Sequence, residues 1–338
     1  MNYPINLKLG DTIGICAPSA GLADEDKILR LDYAIKHLEK LGYKVIETKS
    51  VRTDIYERSA DAKTRAEEFM SLYENDDVKL IICATGGDYL CEMLEYLDFD
   101  YIKTLKPKWI QGYSDITGLG FLFNSILDIP SMYSATIKSY AMKDLHRSLT
   151  DTLKIESGEE IIQNSFDKYE AEWIKDKDPE DGFNLSANVK WVNVFGEDKV
   201  SFKGRAIGGC LDSIRQYVGT KYDNVKNYIE KHKEDGIIWF LESFSTSTSG
   251  LTRTLWQLEN AGYFKNCNGI IFGRPLFYTS EYEKTYNDTV KEFFKNKNIP
   301  VICDADIGHV APQLAMVNGA ILEIESSNGK GFVKTYLK

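Results

Sequence analysis

Histidine is scarce in this sequence, four residues in 338, and none of the four lies in an H-E-x-x-H motif or a paired Cys/His cluster. The ligand spacing of a zinc site is therefore missing, and a structural metal is not expected. Six cysteines, Cys16, Cys83, Cys91, Cys210, Cys267 and Cys303, are scattered without a C-x-x-C pair and sit mostly in apolar strand-like runs, so they read as buried free thiols. No stretch approaches the roughly 20 apolar residues of a membrane span. Met1 to Asp11 offers one lysine and no apolar run of secretory length, so a cytoplasmic protein without membrane contact is expected. Positive charge is in deficit too, with 41 Lys and Arg against 51 Asp and Glu and a net charge of -10. That balance argues against a phosphate-neutralising surface and hence against nucleic acid as partner; it serves solubility instead.

What is present is ordinary globular composition, 43% hydrophobic and 27% charged, in a chain long enough for two domains. Up to about residue 150, short β-rich runs alternate with amphipathic stretches, as in an open parallel sheet covered by helices of the Rossmann or flavodoxin kind. Strands are expected at Thr12–Ala17, Tyr43–Thr48, Leu80–Ala84, Trp109–Gly112 and Ser131–Tyr133. Helices are expected at Asp26–Leu41, Lys63–Tyr73, Tyr89–Leu97 and Ile116–Leu127. From 151 to 199 the pattern loosens around the run from Lys175 to Gly182, which reads as loop or linker flanked by Trp173, Phe183 and Trp191, aromatics that either cap a core or stack on a ligand, with packing the better reading. From 200 to 338 a mixed α/β domain is expected, with strands at Phe202–Ile207, Ile237–Leu241, Gly269–Phe272 and Val301–Asp304 and a closing hairpin of Ala320–Glu325 with Val333–Leu337.

Ligands of open parallel sheets bind outside the carboxyl ends of the strands, so the residues just after each strand carry the search for chemistry. Ala17-Pro18-Ser19-Ala20-Gly21 lacks G-x-G-x-x-G, which removes the main sequence argument for a dinucleotide enzyme. Thr85-Gly86-Gly87-Asp88 can offer bare backbone N–H groups to a ligand, or it is a tight turn chosen for its φ angles. Tyr113-Ser114-Asp115-Ile116 puts a serine at a strand-to-helix turn two residues after Gly112, the first half of a nucleophile elbow. The second glycine of that motif is missing, and a plain helix N-cap would look the same. His309, in the Gly/Pro-bounded loop after the strand at 301–304, is the histidine placed for general-base work; His37, His146 and His232 lie in helical or polar runs. A carboxylate must fix its tautomer. Glu242, at the end of the strand at 237–241, is a modestly better candidate than Asp212, Asp304 or Asp306. Arg253 and Arg274 suit a substrate carboxylate or a structural ion pair equally well.

Read in order, Gly10-Asp11, Ala17-Pro18-Ser19, Thr85-Gly86-Gly87, Gly112-Tyr113-Ser114-Asp115-Ile116-Thr117, Gly208-Gly209-Cys210-Leu211, Phe240-Leu241-Glu242 and Asp304 with Ile307-Gly308-His309 resemble the LD-carboxypeptidase family of serine peptidases over nearly the whole chain. The resemblance implies a Ser114, Glu242, His309 triad and an oxyanion hole from the N–H groups of Gly87 and Asp115. It also implies an N-terminal domain carrying the serine, a C-terminal domain carrying the acid and base, a cleft between them, a homodimer, and no cofactor. Two substrate classes belong to the family: murein tetrapeptide, cut to release D-alanine, and in the microcin-immunity branch the amide joining an aminoacyl or peptidyl group to a modified nucleotide. Chain length and the Trp173 to Trp191 segment resemble the second, where Trp191 could stack on a base and Gly86 and Arg274 could touch substrate. A non-catalytic binding protein using the same cleft is the reading from another class.

Overall fold

A computed structural model describes residues 1–172 and 178–337. The first half of the chain builds a sheet from β1 (Thr12–Cys16), β2 (Lys44–Glu47), β3 (Val78–Cys83), β4 (Trp109–Gly112) and β5 (Ser131–Tyr133), all parallel. The central strands are buried along their length, as a sheet covered on both faces requires. Between them run α1 (Glu25–Lys40), α2 (Ala62–Glu74), the short α3 (Phe99–Ile102) and α4 (Thr117–Leu127). Asp24 caps α1 by accepting from the Lys27 N–H, and Asp61 does the same for α2 at Thr64. The helix expected at Tyr89–Leu97 is a 3₁₀ segment, Leu90–Tyr96.

The segment 151–199, expected as loop or linker, is largely built into the fold. Helix α5 (Arg147–Glu156) runs across residue 150, and β6 (Ile162–Asn164) and β9 (Val192–Asn193) are the two edges of the second sheet, while β7 (Lys168–Tyr169) pairs with β8 (Ala187–Asn188). Trp173 falls outside the described residues. The second sheet is centred on the parallel strands β10 (Lys199–Cys210), β11 (Ile237–Glu242), β13 (Cys267–Gly273) and β15 (Val301–Ala305). Helices α6 (Leu211–Tyr217), α7 (Val225–Lys231), α8 (Thr248–Asn260) and α9 (Tyr286–Phe294) accompany them, and β12 (Ser245–Ser247) pairs with β14 (Phe277–Thr279). The closing hairpin forms as β17 (Ile321–Ser327) and β18 (Lys330–Tyr336), antiparallel against β10.

The two halves are not independent. Strand β16 (Met316–Asn318), late in the chain, pairs antiparallel with β5 and becomes the edge of the first sheet. One buried apolar cluster runs from Ile13 and Ile15 through Tyr133 to Phe240 and Ile302, so both sheets share core. This packing brings the carboxyl ends of β4, β11 and β15 together. Among the described residues, no helix is long and apolar enough to cross a membrane, and all six cysteines are free thiols.

Candidate active site

Ser114 leaves β4 with φ of 65°, a left-handed conformation rare for a residue with a side chain and costing on the order of 1–2 kcal/mol. The chain turns there directly into a 3₁₀ turn and α4. The elbow motif's missing second glycine has a structural answer: a Cβ at Gly112 would stand 2.6 Å from Ile116 Cγ2, so Gly112 provides the room itself. Across from the turn, the Thr85-Gly86-Gly87 loop comes close enough that a Cβ at Gly86 would lie 2.8 Å from Ser114 Oγ and 3.5 Å from the Asp115 nitrogen. The glycine loop, the serine hydroxyl and the amide after the serine thus converge on one point.

The turn is held by buried polar contacts. Asp115, 3% exposed, accepts from Ser19 Oγ at 2.6 Å and from the Leu90 N–H at 2.9 Å, which ties the loops after β1 and β3 to the elbow. Burial pushes its carboxyl up from the ordinary range, and those two donors act against the push. Ser213 on α6 donates to the Ser114 carbonyl at 3.3 Å, and the Ser114 N–H reaches the Tyr133 hydroxyl at 3.5 Å.

Glu242 is the last residue of β11 and is fully buried. Its Oε2 lies 2.8 Å from His309 Nδ1, and its Oε1 accepts from the Tyr133 hydroxyl at 2.5 Å. Burial alone would raise this carboxyl; the facing His309 charge and the bonds from His309 and Tyr133 outweigh it and hold the group below its ordinary value. With Nδ1 donating to Glu242, Nε2 of His309 is the nitrogen left to take a proton. The imidazole is packed between Tyr113 and Phe244, ring centroids 5.0 and 4.8 Å away. His309, Ser114, Gly86 and Gly87 line one cavity of about 250 Å³, and His309 and Tyr113 also line a second, of about 290 Å³. A hydroxyl on a strained turn, an imidazole oriented by a buried carboxylate, and a glycine loop facing both make a set that can perform acyl transfer.

The family profile of the LD-carboxypeptidase N-terminal domain matches residues 13–134, and that of the C-terminal domain matches residues 203–324. The chain belongs to the LD-carboxypeptidase family. It is 29% identical over 335 residues to the Microcin C7 self-immunity protein MccF of Escherichia coli, covering 95% of this chain and 92% of that protein. It is 25% identical over 325 residues to the "Probable murein peptide carboxypeptidase" of Bacillus subtilis strain 168, covering 95% and 91%. Among solved structures, MccF in complex with glutamyl sulfamoyl guanosine superposes with a TM-score of 0.80 at 25% identity, over 99% of both chains. The complex of MccF with aspartyl sulfamoyl adenosine gives 0.79 at 26%, over 98% of both. The chain is accordingly a member of a serine carboxypeptidase family, with the two-domain α/β architecture of MccF.

Against this LD-carboxypeptidase frame, the other acids near the site are otherwise occupied. Asp306 is fully buried and accepts from the Phe166 N–H and the Trp191 indole while ion-pairing with Arg274; Asp304 accepts from Asn287; Asp212 accepts from the Phe244 N–H. Two substrate-binding expectations are corrected by the same contacts. Trp191 is 2% exposed, its N–H spent on Asp306, so no ring face is open to a base. Arg274 is 6% exposed, held by Asp306, by the Asp304 carbonyl at 2.7 Å and over the Tyr169 ring, which is the structural ion pair rather than a substrate fork. Arg253 projects from an exposed position on α8 and bonds back to Ser249.

Cys210, Glu242 and His309 bring ligand-type atoms within 4.8 Å of one another. Burial pushes the Cys210 thiol well above its ordinary value, and both Glu242 oxygens already have partners, in His309 and Tyr133. The residue of this arrangement that sequence reasoning passed over is Tyr133, which bonds Glu242. It ends a strand at the sheet's carboxyl edge, which was its one available signal, but a tyrosine in an apolar strand reads as core.

Proposed function

We propose that this protein is a serine amidase or carboxypeptidase working through Ser114, His309 and Glu242. The observation that carries the reading is the 2.8 Å contact of His309 Nδ1 with Glu242 Oε2 beside a cavity that Ser114 also lines. Ser114 Oγ attacks the amide carbon while its proton passes to His309 Nε2, and Glu242 stabilises the imidazolium. The N–H groups of Gly87 and Asp115 receive the oxyanion, each worth about 3 kcal/mol to the transition state. Collapse expels the amine, which takes the proton from His309. Water, deprotonated by His309, then frees the acyl group as its acid and restores Ser114.

The substrate favoured is an aminoacyl or peptidyl group joined by an amide to a modified nucleotide, supported by the 29% identity to MccF over 95% of the chain and by its relatives' sulfamoyl nucleoside complexes. A murein tetrapeptide is the second reading, supported by the Bacillus subtilis relative. A homodimer in the cytoplasm, needing no metal or cofactor, completes the proposal. Mass spectrometry of two incubations tests it, one with L,D-tetrapeptide and one with an aminoacyl sulfamoyl adenosine, each with a Ser114→Ala control. Nucleotide release from the second supports the first reading, D-alanine from the first supports the other, and cleavage of neither points to a binding protein.

A further inference from the structure

The cavity on the far side of His309 is built unlike the one at Ser114. Lys138, in the 3₁₀ turn Ile137–Ala141, lines it half-buried and makes no hydrogen bond or ion pair with any described residue. A lysine taken out of water without a partner is unfavourable, and most such groups are found paired. Arg30 lines the same cavity, and its guanidinium donates to the carbonyls of Pro179 and Asp178. Gln313, 6% exposed in the wall, has a buried side-chain oxygen without a partner. Burial, with Lys27 and Arg30 nearby, pushes the Lys138 ammonium down to about 8, and Asp24 opposes the push weakly. Two acids line the cavity as well, the exposed Asp181 and Glu170, which accepts from the Asn184 N–H. A lysine without a bonded partner among the described residues is thus presented in the cavity that His309 also lines.

We propose that Lys138, with Arg30 behind it, is the subsite for a carboxylate of the substrate. The inference rests on the hydrolase reading and sharpens it: the scissile amide belongs to a molecule with a free carboxylate close by, as an acidic side chain on the acyl part or as the terminal carboxylate of a peptide. An anion there would pair with the ammonium, and the Gln313 side-chain oxygen would accept from an N–H of the same ligand.

Calorimetric binding in a Ser114→Ala background tests this apart from turnover. The probes are aspartyl sulfamoyl adenosine against its asparaginyl counterpart, and L,D-tetrapeptide against its C-terminal amide. Within at least one pair the carboxylate form is expected to bind about 10- to 100-fold more tightly, the range of a charge-assisted hydrogen bond. Adding Lys138→Met removes that preference while the uncharged probe binds as before, and Lys138→Arg restores part of it. The pair that responds identifies which carboxylate the subsite holds. No preference in either pair, or an equal loss for charged and uncharged probes on Lys138→Met, overturns the assignment. Absence of turnover by the unmutated protein with the preference intact would instead count against the hydrolase reading alone.

Discussion

The Tyr133 hydroxyl donates to Glu242 at 2.5 Å, from the strand that borders the serine's own. Because the same hydroxyl lies 3.5 Å from the Ser114 N–H, one phenol from the first sheet ties the nucleophile turn to the acid carried by the second. A Tyr133→Phe substitution removes the tie with little change in volume. It leaves a buried carboxylate one donor short, at about 1–3 kcal/mol. We expect kcat to fall about 10- to 100-fold with KM nearly unchanged. The sign of the pH effect follows from Glu242, whose folded-state pKa is lowered against the pull of burial by His309 and Tyr133. Stability that depends on the ionised carboxylate is present above its unfolded value and lost as pH falls through the folded one. Without the phenol the folded value rises, so both acid unfolding and the acid limb of activity should move to higher pH. Thermal melts and kcat profiles of the two proteins check this; identical acid limbs would contradict it.

Gly86 faces the nucleophile without a side chain. A methyl there would sit 2.8 Å from Ser114 Oγ, and φ at this position imposes no left-handed strain, so Gly86→Ala should cost activity far more than stability. A fall in kcat of at least about 10-fold, the scale of a disturbed oxyanion site, with a melting temperature within a few degrees of the parent, is the expected pair of results. Full activity would mean that the loop does not approach the reacting atoms.

Glu156 makes an unusual buried acid, fully inaccessible and with neither carboxylate oxygen hydrogen-bonded. Burial pushes its carboxyl well above the ordinary 4.5. The unfolded chain ionises near 4.5 while the folded one keeps its proton, so stability declines as pH climbs from there toward the folded value, by about 1.4 kcal/mol per unit. Glu156→Gln removes that dependence. Its gain in melting temperature over the parent should grow between pH 5 and pH 8; a constant difference would show that the carboxyl is not held neutral.

Much of this arrangement was legible in the residues because the first sheet is built from strong local signals. Trp109–Gly112 and Ser131–Tyr133 are strands over the ranges their apolar runs suggest, and α1 follows its apolar face between Asp24 and Gly42. Strand β16 was not legible: three residues late in the chain pair with β5 from the other half, and non-local pairing leaves no periodic trace. The two-residue strands β7, β8 and β9 are equally silent, and the short helices α7 and α9 were not anticipated. At the site, strand-end placement singled out Ser114, Glu242 and His309, but it put Glu242 only modestly ahead of Asp304 or Asp306, because the choice depends on distances that only the packing of β11 against β15 through β13 sets. Trp191 left two readings open for a physical reason. An aromatic beside a polar loop is as able to close a core as to stack on a ligand, and here its N–H satisfies the buried Asp306. Lys138 gave no signal at all, since a lysine in a loop is read as solvated until its burial is seen.

The central claim is that Ser114 is a nucleophile activated by His309, and it can be tested without knowing the substrate. Incubation with a fluorophosphonate followed by peptide mapping by mass spectrometry reads the adduct directly. The expected result is a single adduct on Ser114, absent in Ser114→Ala and formed at least about 10³-fold more slowly in His309→Ala, on the scale of a lost catalytic base. An adduct on another residue, or equal labelling rates with and without His309, would contradict it.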